Sequence, residues 1–90
     1  MASGSINDLQ LASYLGNASR IALDANGNPQ YIGTAKAGTL EAADSWQIFL
    51  ITYDATYTST PVKIQWASGN DNFDKIWNNG TTTYASYTYI

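Results

Sequence analysis

Trp46-Gln47-Ile48-Phe49-Leu50-Ile51-Thr52-Tyr53 is the longest apolar run in the chain and lies near its middle. Its β-branched and aromatic residues suit a pleated surface, and its length suits a strand better than a helix. Asp54 and the Thr/Ser/Pro-containing stretch that follows close it off. On a strand, Trp46, Ile48, Leu50 and Thr52 point one way, and Gln47, Phe49, Ile51 and Tyr53 the other. Both faces are mainly apolar. A strand buried on one face alone would alternate cleanly, so the second face needs a cover: another layer or another subunit.

Outward from this run, Arg20 to Leu23 and Gln30 to Lys36 flank Asp24-Ala25-Asn26-Gly27-Asn28-Pro29. Asn26-Gly27 tolerates the positive φ of a type I′ turn, so these two segments read as a β-hairpin. Gly33 in the second strand signals a bulge or a close backbone approach. Ala37 to Ser45 reads as a loop. Pro61 to Ala67 reads as a strand, with Val62, Ile64 and Trp66 facing inward and Lys63 and Gln65 outward. Asn72 to Asn78 has the pattern of two helical turns, with Phe73, Ile76 and Trp77 on one side and Gly80 as a cap. Thr81 to Ile90 alternates hydroxyl and aromatic residues and reads as a closing edge strand with no charge to protect it. Near the start, Ser5 or Asn7 can cap a short helix through Leu15, with Ile6, Leu9, Leu11, Tyr14 and Leu15 forming a loose apolar side. The alternative for residues 1–18 is an extended arm, since a helix this short is marginal alone.

Ninety residues without a cysteine make a single domain, 1–90, with no disulfide to brace it. Only 12% of residues are charged, about half the usual share, while aromatics number three Trp, seven Tyr and two Phe. A surface of hydroxyls, amides and tyrosines points to assembly. The net charge is −3, and the four cations, Arg20, Lys36, Lys63 and Lys75, are scattered, which excludes a phosphate-tracking stripe for nucleic acid. No apolar run approaches membrane-spanning length, and Met-Ala-Ser-Gly-Ser lacks the features of a signal peptide, so the expectation is synthesis in the cytoplasm.

The absence of histidine and cysteine removes the commonest general base and the thiol nucleophile, and most acids fall in turns, so no catalytic residue, cofactor or metal site is assigned. Asp24-x-Asn26-x-Asn28 has the spacing of half a calcium loop but lacks its glycine and distal glutamate. Trp77 with Asn78 and Asn79 has the make-up of a sugar-stacking patch, against the commoner reading of tryptophan as core or interface.

The ordered blocks Tyr31-Ile32-Gly33-Thr34-Ala35 with Gly38-Thr39, Trp46-Gln47-Ile48 with Ile51-Thr52-Tyr53-Asp54, Trp66-Ala67-Ser68-Gly69 and Phe73-Asp74-Lys75-Ile76-Trp77, with a tyrosine-rich end, resemble small virion proteins of tailed bacteriophages. The resemblance covers residues 28–90. Two departures stand out: family members often carry charge where Phe49-Leu50 stands, and an arginine where Asn79-Gly80 stands. The resemblance implies a non-enzymatic structural role in a virion, as capsid decoration or a tail component, by self-assembly with its own copies and other virion proteins. Physics and resemblance together give an antiparallel β-sandwich or barrel of about six strands with one or two short helices. The expected interface anchors are Phe49, Ile51, Tyr84, Tyr87 and Tyr89. The alternatives are a carbohydrate-binding host-recognition module and a self-polymerising filament subunit.

Overall fold

A computed structural model describes residues 18–90; the expected helix or arm over residues 1–18 lies almost wholly outside them. The chain is mainly β. Four strands, β1 (Ala18–Leu23), β2 (Pro29–Ala35), β3 (Gln47–Tyr53) and β4 (Pro61–Trp66), form one antiparallel sheet in the order β1-β2-β3-β4. Among the described residues the sheet is open and four-stranded, so the expected six strands and their closure into a sandwich or barrel are not seen there.

The hairpin joining β1 and β2 forms where Asn26-Gly27 places it, though with a different turn. Among residues 24–28, only Gly27 has a positive φ, 82°. Its N–H donates to the Asp24 carbonyl at 3.0 Å, and Asp24 N–H donates to the Asn28 carbonyl at 2.8 Å. The loop is therefore a three-residue turn with a left-handed glycine, which needs one positive φ where type I′ needs two. The Asp24 carboxylate completes it by accepting the N–H groups of Asn26 and Asn28.

The register sets two faces. Arg20, Gly33 and Ile48 stand in one cross-strand row, as do Ala22, Tyr31, Leu50 and Gln65. Directly opposed residues share a face, so these rows belong with Trp46 and Ala35 on the side where the core lies. The core comprises Ala35, Trp46, Ile48, Ala67 and Trp77, with Tyr31, Tyr84, Tyr87 and Tyr89 packed against it. The opposite face carries Ile21, Ile32, Phe49, Ile51, Ile64 and Trp66. The split of β3 into two apolar faces is thus as expected.

The face assignment of β4 is reversed. Ile64 and Trp66 turn away from the Trp46 core, and Ile64 is 56% exposed. Gln65 turns towards the core, where its amide donates to the Tyr89 carbonyl at 3.2 Å. A bulge near Tyr53 leaves Val62 without an opposed residue, and it too is exposed.

The second layer is irregular chain. Residues 72–78 form no helix: Lys75 exchanges two backbone hydrogen bonds with Trp46, both 2.9 Å, which extends the chain there. Nor is residues 81–90 one strand. It holds a 3-10 turn at Tyr84–Ser86, capped reciprocally by Thr83 and Ser86, and then an extended tail. That tail bridges to β4, with Ile90 and Trp66 exchanging bonds of 3.0 and 3.1 Å. Local side-chain bonds win over the ladder here because Asn, Ser and Thr offer the backbone partners of their own.

Candidate functional site

Gly33 organises the covered face. A Cβ built there would lie 2.6 Å from Trp77 Cε3 and 2.8 Å from Cζ3, so the Trp77 ring rests on bare backbone. This is the close approach that a glycine inside a strand signals. Trp77 also stacks on Tyr84, with centroids 4.5 Å apart, and is only 6% exposed. Its N–H donates to the Glu41 carbonyl, and the Trp46 indole N–H donates to the Leu40 carbonyl, tying the 37–45 loop into this layer. Arg20 pairs with Glu41 and lies 5.5 Å from the Trp46 ring, which closes the rim.

Buried between Gly33 and Tyr84, Trp77 has no ring face for a sugar, which removes the stacking group from the patch proposed at Trp77, Asn78 and Asn79. Asn78 and Asn79 are exposed, but their side-chain oxygens accept backbone N–H groups of Gly80, Thr81 and Thr82 within their own turn.

The five expected interface residues fall on opposite sides. Tyr84, Tyr87 and Tyr89 belong to the covered face: Tyr31 meets Tyr84 at 4.9 Å and Tyr89 at 5.5 Å. The Tyr87 hydroxyl accepts the Ile76 N–H at 2.7 Å, and the Tyr89 hydroxyl donates to the Tyr84 carbonyl. Burial holds the Tyr89 pKa well above the usual phenol range, helped by neighbouring Tyr31, Tyr87 and Tyr84. Phe49 and Ile51 lie on the other face.

That other face is the candidate site. Phe49 and Trp66 pair across β3 and β4 with centroids 5.1 Å apart, tilted by 58°, and Ile51 stands opposite Ile64. Its charge-free centre and its aromatic pair have the make-up of an interface core. Sequence reasoning found Phe49 and Ile51 but assigned Ile64 and Trp66 to the interior. The inward use of Gln65, bonded to the Tyr89 carbonyl, reversed them, and it has no signature in the pattern of apolar residues.

An open groove of about 270 Å³ lies at the end of the sheet by the two hairpin loops, with Asp24, Gln30, Ile51, Tyr53 and Asp54 in its lining. Both carboxylates are engaged in turns: Asp54 accepts the N–H groups of Thr56 and Tyr57, which hold its pKa below the ordinary value. Among the described residues no three of His, Cys, Asp and Glu converge as a metal site would require, and no helix is long and apolar enough to cross a membrane. Compared with family models, with curated proteins and with solved structures, the chain matches none of them.

Proposed function

We propose that this protein works by assembly, without turnover, as a structural component of a tailed-bacteriophage virion. The observation that carries the assembly reading is the apolar face of β3 and β4, where Phe49, Ile51, Ile64 and Trp66 form a contiguous patch and Ile64 stays more than half exposed. Exposed apolar patches of this kind favour protein contacts. The virion setting rests on the resemblance of the ordered blocks to those of small phage proteins. In this reading the sandwich is completed between copies, with two such faces packed about 10 Å apart. A two-fold contact would be self-complementary, because the same patch serves both partners.

The test is sedimentation of the full chain across a range of concentrations, beside Ile64→Lys. A discrete oligomer is expected, and the lysine should weaken it at least about tenfold, equivalent to about 1.4 kcal/mol, while circular dichroism stays unchanged. A monomer at every concentration, indifferent to Ile64→Lys, would overturn self-assembly through this face. Binding of that monomer to phage particles, lost in the same variant, would instead assign the face to another virion protein.

A further inference from the structure

Asparagine followed by glycine is a chemically labile pair, because the glycine nitrogen can reach the asparagine side-chain amide with no Cβ in the way. The chain contains the pair twice, at Asn26-Gly27 in the β1–β2 hairpin and at Asn79-Gly80 ahead of the 3-10 turn. Both glycines have a positive φ, 82° and 89°, and open space where a Cβ would stand. Steric access is therefore equal at the two sites. Hydrogen bonding is not. The Asn79 side-chain oxygen accepts the N–H groups of Thr81 at 2.9 Å and Thr82 at 2.7 Å, and the Gly80 N–H donates to the Asn78 side-chain oxygen at 2.9 Å. Bringing Asn79 Cγ onto the Gly80 nitrogen breaks all three. Asn26 is exposed, and its side-chain amide makes no hydrogen bond among the described residues. Only the Gly27 N–H bond to the Asp24 carbonyl, 3.0 Å, has to open there.

We infer that Asn26-Gly27 is a self-modification site of the folded protein, and that Asn79-Gly80 is the same pair held inert by its turn. The Gly27 nitrogen gives up its proton to hydroxide and attacks Asn26 Cγ. A C–N bond forms, a five-membered imide closes, and the side-chain nitrogen leaves as ammonia. Water then opens the imide at either carbonyl, giving an aspartate or, with the backbone rerouted through the side chain, an isoaspartate. In sum, one amide and one water become a carboxylate and ammonium, with no oxidant and no second protein. Asn28 does not follow this route, because Pro29 has no N–H to attack with. Asn26, Asp24 and Asp54 line the same groove, so the product adds negative charge where two carboxylates already stand. Isoaspartate also lengthens the backbone inside a turn that the Asp24 carboxylate holds through the Asn26 and Asn28 N–H groups. The Asn28 side chain ties that turn to the Thr58 carbonyl at 2.7 Å, so loosening it reaches the second hairpin. The inference does not depend on the assembly reading.

The experiment is a time course on the full, unaltered chain in warm, mildly alkaline buffer, followed by peptide mapping with mass spectrometry that separates aspartate from isoaspartate. A parallel sample is kept unfolded in urea. In the folded chain Asn26 should be converted about tenfold or more faster than Asn79, since two more hydrogen bonds must break at Asn79. In urea the two rates should converge. Conversion of Asn79 as fast as Asn26 in the folded chain would overturn the inference. So would a folded chain inert at both positions while the unfolded one reacts. The same rate ratio in urea as in buffer would assign the difference to flanking sequence and remove the protective role of the Asn79 turn.

Discussion

Gly33 makes the sharpest claim at the scale of single residues. Gly33→Ala drives a methyl against the Trp77 ring, and overpacking of this kind costs about 1–3 kcal/mol, read as a lower urea midpoint with an unchanged slope. Lys75 is a different case: it is buried, and its ammonium is held by the Asn70 side chain, the Asn72 carbonyl and the Asp74 carboxylate. Lys75→Met preserves the stem and removes three donated bonds whose acceptors keep other partners or face water, at a cost of about 0.5–1.5 kcal/mol by the same measurement. Tyr89 sets the alkaline limit. Its folded pKa is raised by burial and by Tyr31, Tyr87 and Tyr84, and that of Tyr53 is raised by burial and by Asp24. The unfolded chain releases these protons near pH 10 while the folded chain retains them, so the stabilisation is complete below about pH 10 and is lost as pH rises towards the folded values. Melting temperature should therefore fall above that point, and Tyr89→Phe should flatten the fall.

Among the elements, the hairpin and the four strands were legible because their signals are local. Asn26-Gly27 marked the turn, and β-branched runs bounded by Gly, Pro, Asn and Asp marked the strands to within about two residues. Only the turn type differed, since one positive φ sufficed. The facing of β4 was not legible from Val62, Ile64 and Trp66, because an alternating strand reads the same from either side. What decides it is Gln65 reaching the Tyr89 carbonyl, a contact 24 residues apart. The last ten residues misread as a strand for a related reason: Tyr87 and Tyr89 spend their hydroxyls on particular backbone groups, which no alternation reveals. The tail still does a strand's work at one point, where Ile90 pairs with Trp66 and the Thr88 carbonyl accepts Ser68 N–H at 2.7 Å. Ile90→Pro deletes the bond donated to Trp66 at a cost of about 1 kcal/mol. It also bares part of the β4 edge, so faster aggregation on gentle heating is expected by light scattering.

At the scale of the molecule, the described residues make one sheet with an irregular layer on a single side, which is a small amount of core. Contacts between copies would then add to stability, and the melting temperature should climb with protein concentration. Ile64→Lys should abolish that climb and leave the dilute value nearly unchanged, because the side chain is exposed in the single chain. The candidate face was half legible: Phe49 and Ile51 followed from the two-sided run, while the placement of the tyrosines required the packing around Trp77. The three tryptophans are divided in a way that has an optical consequence. Trp46 is fully buried and Trp77 nearly so, both between the sheet and the irregular layer to which Trp77 belongs, while Trp66 sits half-buried beside Phe49 on the opposite face. Fluorescence that acrylamide quenches should therefore come mainly from Trp66, and any molecule that settles on that face should shield it and shift its emission to the blue.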